Sequence, residues 1–222
     1  MNGWKIVPLG TVCSLEKNKH DGSSFPYVGM EDIEGRTGKF LGSQSPQKVQ
    51  SSTFSFTPQH LLYGRLRPYL NKVMLPDFSG HCSSEIFPIL VSSDLERSFL
   101  FYWLIKEKTA DKINRTCTGA RMPRANLKEV LKFDFPLPPL SEQKRIVEIL
   151  DEAFEGIDRA ITNTKKNLAN ARELFDSYLN SISSDKKPLR DLVDIKTGKL
   201  NVNVAVENGK YPFFTCSRKI YN

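Results

Sequence analysis

The chain has 222 residues, of which 39% are hydrophobic and 26% are charged, as in a folded protein of one or two domains. No apolar run approaches the roughly 20 residues that a membrane-spanning helix requires, and the opening residues, MNGWKIVPLG, lack the apolar core of a secretion signal. The spacing of Cys13, Cys82, Cys117 and Cys216 leaves disulfides open but indicates neither a disulfide scaffold nor a zinc site. We therefore expect a cytoplasmic protein that is not embedded in a membrane.

The net charge of +7 is unevenly distributed along the chain. Residues 1–140 contain 18 Lys and Arg against 13 Asp and Glu, residues 141–187 contain 8 against 9, and residues 188–222 contain 6 against 3. A basic region beside a nearly neutral one is typical of a protein that binds a polyanion and carries a separate scaffold. A basic surface without a partner accounts for the same charges equally well.

Residues 1–140 are predicted to form an α+β domain. The stretches KIVPLGTVCSL, SFPYVGM, HLLYGRLRPYL, KVMLP and EIFPILV have the composition of short strands, and turn residues separate them. The later stretch SDLERSFLFYWLIKEKTADKINR predicts a helix, with Ser93 as its N-cap and an apolar face that includes Leu95, Phe99 and Ile105.

A long helix is predicted over residues 141–184. The stretch FPLPPLSEQKRIVEIL begins with prolines that a helix interior excludes, and Ser141 is a suitable N-cap for the helical pattern after them. Apolar residues then recur at spacings of three and four, with one irregularity near Ile157, which is the pattern of a coiled coil. Residues 141–182 would span about 63 Å. The residues predicted to form the interface are Ile146, Leu150, Ile157, Ile161, Leu168, Phe175, Tyr178 and Ile182.

This apolar stripe requires a partner helix. A core helix of a compact bundle would need a second helix of similar length, and the sequence predicts none in this chain. We therefore expect the partner helix to come from another molecule, if not from the same chain.

Residues 185–222 are predicted to begin a second, incomplete copy of the first domain. PLRDLV at 188–193 is similar to PLGTV at 8–12, and YPFF at 211–214 is similar to FPYV at 25–28. The two matches occur in the same order with nearly the same separation. We expect the chain to be a truncated form of a protein built as domain, helix, domain, helix.

Four stretches carry a resemblance to a known family. They are LLYGRLRPYLNKV (61–73), GHCSSEIFPIL (80–90), TGARMPRANLKEV (118–130) and FPLPPLSEQKRIVEIL (135–150). They resemble the specificity subunits of type I restriction–modification systems, and the similarity extends over about residues 4–182. The resemblance implies a target-recognition domain that reads half of a split DNA site, and long helices that pair antiparallel to hold two such domains apart. Since this chain has one full domain and one long helix, we expect a homodimer that reads a palindromic split site.

The resemblance also implies the partners of this chain. They are double-stranded DNA, a methyltransferase subunit that uses S-adenosylmethionine, and a restriction subunit that uses ATP and Mg²⁺. This chain itself is expected to hold no cofactor or metal and to catalyse no reaction.

Three clusters have the side chains that DNA contact requires, namely cations for phosphates and forked or amide groups for base edges. The candidates are Arg65, Arg67, Tyr69, Asn71 and Lys72 in GRLRPYLNK, Arg115, Thr118, Arg121 and Arg124 in RTCTGARMPR, and Lys17, Lys19 and His20 in KNKHDG. Structural roles compete with this interpretation. In the structural interpretation, Arg67 donates hydrogen bonds to buried carbonyl groups of a turn at Arg67-Pro68-Tyr69. Pro123 then only ends a strand.

Motifs for catalysis are missing from the sequence. There is no GxGxxG after a strand, no GxxxxGK[ST], and no Asn/Asp-Pro-Pro-aromatic segment of a methyltransferase. His81, Cys82 and Glu85 have poor metal-ligand spacing, and a structural role is expected for His81. Two alternatives to DNA recognition remain: a coiled-coil scaffold that does not bind DNA, and a lone nuclease. If the chain is a scaffold, its affinity for DNA should not fall steeply with salt concentration. If it is a nuclease, the isolated chain should cleave DNA in the presence of a metal ion.

Overall fold

The computed structural model describes residues 3–119, 121–182, 187–194, 196, 198, 202–204, 210 and 212–214. The chain divides into two compact units, Met1–Ala160 and Ile161–Asn222. Among the residues described, no helix combines the length and apolar character needed to cross a membrane.

Ten strands and four helices make up the regular structure of this part of the chain. The strands are β1 (Lys5–Pro8), β2 (Cys13–Leu15), β3 (Phe25–Val28), β4 (Pro46–Gln47), β5 (Thr53–Phe56), β6 (His60–Gly64), β7 (Val73–Met74), β8 (Gly80–Ser83), β9 (Ile86–Val91) and β10 (Asp134–Leu137). The helices are α1 (Arg97–Ile105), α2 (Glu107–Asn114), α3 (Leu127–Val130) and α4 (Leu140–Ile182). The prediction of an α+β domain followed by a long helix is confirmed.

The first unit contains two four-stranded sheets, ordered β2-β9-β6-β7 and β4-β3-β8-β5, and a separate antiparallel pair of β1 with β10. Strand β6 is buried along its whole length. Successive side chains of a strand point to opposite faces. Leu61 and Tyr63 accordingly belong to one apolar cluster with α1, and Leu62 belongs to a second cluster with Val28 and Phe56.

The helix predicted from Ser93 is in fact two helices, and it begins later. Glu96 is the N-cap of α1, and its carboxylate accepts a hydrogen bond from the Ser98 N–H. The chain becomes extended at Lys106 (ψ 129°) before α2 begins. The buried Asn71 side chain donates to the carbonyl of Ile105 at 2.7 Å, so a side chain from elsewhere in the fold completes the end of α1.

Helix α4 begins at Leu140, so Ser141 lies inside its first turn and not at the N-cap. The carbonyl of Pro139 accepts hydrogen bonds from the N–H groups of Glu142 and Gln143. Of the predicted interface residues, Ile146 packs against the core of the first unit and Leu150 is partly buried. The others are exposed: Ile157, Ile161, Leu168, Phe175, Tyr178 and Ile182. A coiled-coil partner for this face stays a prediction.

Two 3₁₀ turns have nearly the same conformation, one in each unit. The turn Leu9–Thr11 follows Pro8 (φ −59°, ψ 132°), and the turn Leu189–Asp191 follows Pro188 (φ −57°, ψ 138°). In each, the N–H of the residue after the turn bonds to the carbonyl of its leucine. The second copy of the domain stays a prediction, and part of its second sequence match, at residue 211, lies outside the described residues.

Candidate nucleic-acid interface

Residues from all three predicted clusters surround open clefts on the first unit, and the largest share of them lies in one cleft of about 350 Å³. We call it the basic cleft, and we define it by Lys17, Arg65, Phe87, Arg124 and Lys128. Thr118 also lines it. Each predicted cluster contributes at least one side chain, so residues that are far apart in the sequence share one surface.

Backbone hydrogen bonds bring the two arginine clusters together at the end of β6. The N–H of Arg67 bonds to the carbonyl of Pro123 at 2.7 Å, and the N–H of Ala125 bonds to the carbonyl of Arg65 at 2.9 Å. Thr118 and Arg124 exchange two hydrogen bonds of 3.1 Å and close a short hairpin. Gly119 lies in that hairpin at φ +88°, a conformation that L-residues with side chains rarely adopt. The hairpin is thus attached to the end of β6 by its own backbone.

A single carboxylate holds both arginines of the basic cleft. Glu85 Oε2 accepts from Arg65 Nε at 2.9 Å, while Oε1 accepts from Arg124 Nε at 2.9 Å and from Arg124 Nη2 at 2.7 Å. The hydrogen bond from Arg124, and then that from Arg65, hold the pKa of the Glu85 carboxyl below its ordinary value. Two cations thus share one anion, so the cleft keeps a positive excess at neutral pH.

The two arginines differ in the donors that they leave for a ligand. Arg124 uses Nε and Nη2 for Glu85, and its Nη1 lies 3.4 Å from the carbonyl oxygen of Met122. Arg65 uses only Nε, so within the described structure both of its terminal amino groups lack a protein acceptor. A guanidinium with two free parallel donors matches the geometry of a phosphate or of a guanine edge. Arg65 is therefore the better placed of the two to bind an anion or read a base.

Phe87 supports two of the cations. The guanidinium carbon of Arg65 lies 4.9 Å from the centroid of the Phe87 ring, and the Lys17 ammonium lies 4.3 Å from it. Cations are attracted to the face of an aromatic ring. This contact restricts both side chains before any ligand arrives.

Several other predicted residues lie outside the basic cleft. The side chains of Asn71 and Lys72 have internal partners, the carbonyls of Ile105 and Met30 respectively. Arg67, Tyr69, Arg115 and Arg121 are exposed and do not line the cleft. Their contact with DNA stays a prediction. The role of satisfying backbone carbonyls, considered above for Arg67, is filled by Arg97. Its guanidinium donates to the carbonyls of Pro58, His60 and Pro76.

Lys19 and His20 line a second cleft, of about 320 Å³. The His20 ring stacks on His81 with centroids 4.3 Å apart, and its Nε2 bonds to the carbonyl of Ser23 at 2.8 Å. His81 is buried and lies near the hydroxyl of Thr53 and two carbonyls, as a structural histidine requires. No group of three or more His, Cys, Asp or Glu among the described residues is placed to hold a metal.

Sequence reasoning missed Glu85, Phe87 and Lys128 as members of the cleft. From sequence, Glu85 enters only with His81 and Cys82, as a set with poor metal-ligand spacing. One signal was present, since Glu85 is the only Asp, Glu, Lys or Arg in GHCSSEIFPIL. A lone charge beside an apolar strand indicates a cationic partner elsewhere in the fold.

Comparison with known proteins agrees with this architecture. Residues 1–170 match the model of the type I restriction modification DNA specificity domain. Because the match covers more than half of the sequence, the chain belongs to this family.

Individual relatives are similar over most of the chain. It is 28% identical over 183 residues to the type I restriction enzyme EcoDI specificity subunit of Escherichia coli, a match of 80% of this chain and 41% of that subunit. A chain solved in work on complex assembly and conformational transition of the type I R-M system superposes with a TM-score of 0.68 at 24% identity, covering 85% of this chain and 52% of that one. The HsdS subunit from Thermoanaerobacter tengcongensis superposes with a TM-score of 0.65 at 23% sequence identity. That match covers 84% of this chain and 52% of the HsdS chain. The chain thus spans about half the length of these relatives.

Proposed function

We propose that this chain is a DNA-sequence-recognition subunit of a type I restriction–modification complex. Its first unit reads one half of a split site in double-stranded DNA. The observation that carries this proposal is the convergence of three separate cationic stretches on the basic cleft. Membership of the specificity-domain family supports it.

Within the basic cleft, the residues have different tasks. Lys17, Lys128 and Arg124 neutralise phosphates, which gives affinity without sequence information. Arg65 presents its two free amino groups to a phosphate or a guanine edge. Glu85 contacts no DNA, but it orients both guanidinium groups before binding.

The partners are inferred from the family and from α4. A methyltransferase subunit using S-adenosylmethionine and a restriction subunit using ATP and Mg²⁺ perform the chemistry, and this chain supplies no catalytic group. Two copies of the chain pair their α4 helices antiparallel through the exposed apolar face that contains Ile157 and Leu168. Such a twofold dimer reads a palindromic split site.

The salt dependence of DNA binding tests the proposal. Binding through several phosphates makes log affinity fall steeply with log salt, by about 0.9 for each phosphate neutralised. Arg65→Ala is expected to reduce affinity for the cognate site by roughly 5- to 150-fold, the loss of one bidentate contact. Lys108→Ala, which removes an exposed charge outside the cleft, is the matched control and should change affinity little. A wild-type affinity that does not depend on salt would favour the scaffold instead.

A further inference from the structure

The second cleft, of about 320 Å³, differs in chemistry from the basic cleft. Cations surround the basic cleft, so it offers hydrogen-bond donors. The second cleft is lined by Asp21, Ser55 and Ser79, whose side chains carry acceptor oxygens. Among the residues that line it in the described structure, Lys19 is the single Lys or Arg. The two clefts therefore suit different groups of a ligand.

His20, Ser55 and His81 share one face of the sheet that contains β5 and β8. Ser55 lies opposite His81 in the register of these two strands. The N–H of Ser55 bonds to the carbonyl of Asn18 at 2.8 Å. The N–H of His20 bonds to the carbonyl of Thr53 at 3.0 Å, so this segment adds to the sheet beyond β5. Side chains of opposite residues lie on the same face, and this brings the His20 ring onto His81, with 8% of the His20 side chain exposed.

The hydrogen bonds of His20 determine what Ser55 presents to the cleft. Nε2 of His20 lies 2.8 Å from the carbonyl oxygen of Ser23, which can only accept, so Nε2 carries the ring proton. In the neutral ring Nδ1 then accepts, and it lies 3.2 Å from the hydroxyl oxygen of Ser55. The O–H of Ser55 therefore donates to His20, and the lone pairs of its oxygen are left for a ligand. Ser55 thus enters the cleft as an acceptor.

Asp21 adds a second acceptor, which carries a negative charge. Its Oδ1 accepts from the hydroxyl of Ser23 at 2.5 Å and from the Ser23 N–H at 2.8 Å, and these bonds hold the pKa of the Asp21 carboxyl below its ordinary value. Within the described structure Oδ2 has no protein donor, and 78% of the side chain is exposed. A carboxylate repels phosphates but accepts from the amino groups of bases. In the major groove these amino groups are N4 of cytosine and N6 of adenine.

The two clefts are neighbours. Lys17 belongs to the basic cleft and Lys19 to the second cleft, and Asn18 alone separates them. Two residues span at most about 7 Å between Cα atoms, which corresponds to roughly two base-pair steps. The N–H of Glu16 bonds to the carbonyl of Pro88 at 2.9 Å and so holds the near end of this segment on β9. One short stretch of duplex can therefore lie across both clefts.

We propose that the second cleft is a base-reading site for edges that carry an amino group, those of cytosine or adenine, with Ser55 and Asp21 as the acceptors. The inference rests on the proposed function and adds a second kind of base contact to it. The basic cleft supplies donors for phosphates or a guanine edge, and the second cleft supplies acceptors for an amino group of the same half-site. Lys19 neutralises a phosphate beside that base. His20 is a positioning residue, because it acts by orienting the hydroxyl of Ser55.

The test uses the full chain in its complex with the methyltransferase subunit. The methylation motif of the wild type first defines the half-site. Every base pair carries one amino group in the major groove, on adenine or on cytosine. DNA is then prepared in which, at a single specified position, purine replaces adenine or pyrimidinone replaces cytosine, so that only this amino group is lost. At a position that the second cleft reads, the loss of one hydrogen bond should weaken wild-type binding by about three- to tenfold.

Variants of Ser55 decide whether this amino group meets its hydroxyl. Ser55→Ala removes the acceptor, so loss of the amino group should then weaken binding by less than about twofold at that position. At other positions the variant should respond as the wild type does. Ser55→Thr keeps a hydroxyl and should retain the wild-type response. Ser14→Ala removes an exposed serine that lines neither cleft, and it is the matched control.

Two further variants distinguish base reading from a structural or purely electrostatic role. Asp21→Asn removes a negative charge, so affinity for DNA without the motif should rise, while the preference for the motif should fall by at least about threefold. His20→Phe keeps a ring against His81 but frees the hydroxyl of Ser55 to donate. Thymine or guanine, which present a carbonyl oxygen in the major groove, should then be tolerated at the position that Ser55 reads. A domain that is merely destabilised would lose affinity for all DNA alike.

The outcomes separate the second cleft from the proposed function. A difference between wild type and Ser55→Ala that is confined to one position, and is absent in Ser14→Ala, supports the proposal. Equal losses in wild type and Ser55→Ala at every position without the amino group overturn it and leave DNA recognition intact. A wild-type complex without any sequence preference overturns both.

Discussion

At the scale of single residues, Glu85 decides how the basic cleft is charged and shaped. Its carboxylate accepts hydrogen bonds from two guanidinium groups that belong to different stretches of sequence. Sequence alone identified Arg65 and Arg124 as candidates, because cations in turn-rich segments are visible in a sequence. It did not identify the anion between them, since only the folded backbone brings residues 65, 85 and 124 together.

Glu85 also predicts a pH dependence of stability. Its pKa in the folded protein lies below the ordinary value of 4.5, so its ion pairs stabilise the fold above that pH and are lost as the pH falls through the folded-state pKa. Glu85→Gln removes this contribution. The free energy of unfolding of the wild type should exceed that of Glu85→Gln by about 1 kcal/mol near neutral pH. The difference should shrink below pH 4.5 in urea titrations. A difference that grows with acidity would contradict the assignment.

Asn71 shows how a residue that suits DNA reading has a structural partner instead. It lies at φ 48°, in the left-handed region that asparagine tolerates better than most residues. Its amide donates to the carbonyl of Ile105, and its own carbonyl accepts the Arg36 N–H at 2.8 Å. Spacing in the sequence placed it beside Arg67, but the turn at Pro68–Leu70 directs it into the fold.

Substitution of Asn71 should therefore affect stability more than DNA binding. Asn71→Ala leaves a helix-end carbonyl without its buried partner and strains the backbone, so we expect a loss of about 2–3 kcal/mol in the free energy of unfolding. Asn71→Gly relieves the strain but not the lost hydrogen bond, and its stability should lie between those of Asn71→Ala and the wild type. Chemical denaturation measures both. Should Asn71→Ala unfold like the wild type and yet weaken DNA binding, the asparagine reads DNA after all.

At the scale of elements, α4 was the most predictable part of the molecule. A proline segment, a favourable first turn and an apolar stripe at spacings of three and four define it from sequence, and its start was displaced by one residue. The α1–α2 pair was less predictable. Nothing in SDLERSFLFYWLIKEKTADKINR marks the extended residue Lys106, because tertiary contacts such as that of Asn71 with Ile105 set the break.

The exposed stripe of α4 predicts how the chain associates. An antiparallel dimer buries Leu168, and a charge at that position would be desolvated on pairing. We expect the wild type to be a dimer in light scattering and Leu168→Glu to be monomeric at the same concentration. Asn170→Glu adds the same charge to an exposed position outside the stripe and should leave the dimer intact. If both variants dimerise equally well, α4 does not pair through this face.

At the scale of the whole molecule, two similar 3₁₀ turns differ in their surroundings. Leu9 and Val12 are buried in the first unit, whereas Leu189 and Leu192 are exposed. In the first unit the turn is held by hydrogen bonds from Leu9 and Gly10 to the carbonyls of Phe133 and Leu131. The likeness of the two turns was visible in the sequence because proline and leucine fix this turn locally. The burial was not visible, since it depends on residues more than a hundred positions away.

The fold class, the long helix and the family were thus accessible from sequence, and the arrangement of the site was accessible in part. Local patterns predict strands and turns, and they place cations in loops. They do not predict that Lys17 and Arg65 share the ring of Phe87, or that His20 orients the hydroxyl of Ser55. Those contacts come from long-range packing.

Half-site reading by the basic cleft and split-site reading by two copies of the chain can be tested together. The most direct measurement is to co-express the chain with its methyltransferase subunit and map DNA methylation across the host genome, for the wild type and for Arg65→Ala. We expect a palindromic split motif for the wild type, and loss or relaxation of that motif for Arg65→Ala. Methylation without any motif would contradict the proposed function, and an identical motif in both would contradict the role of Arg65 in reading the half-site.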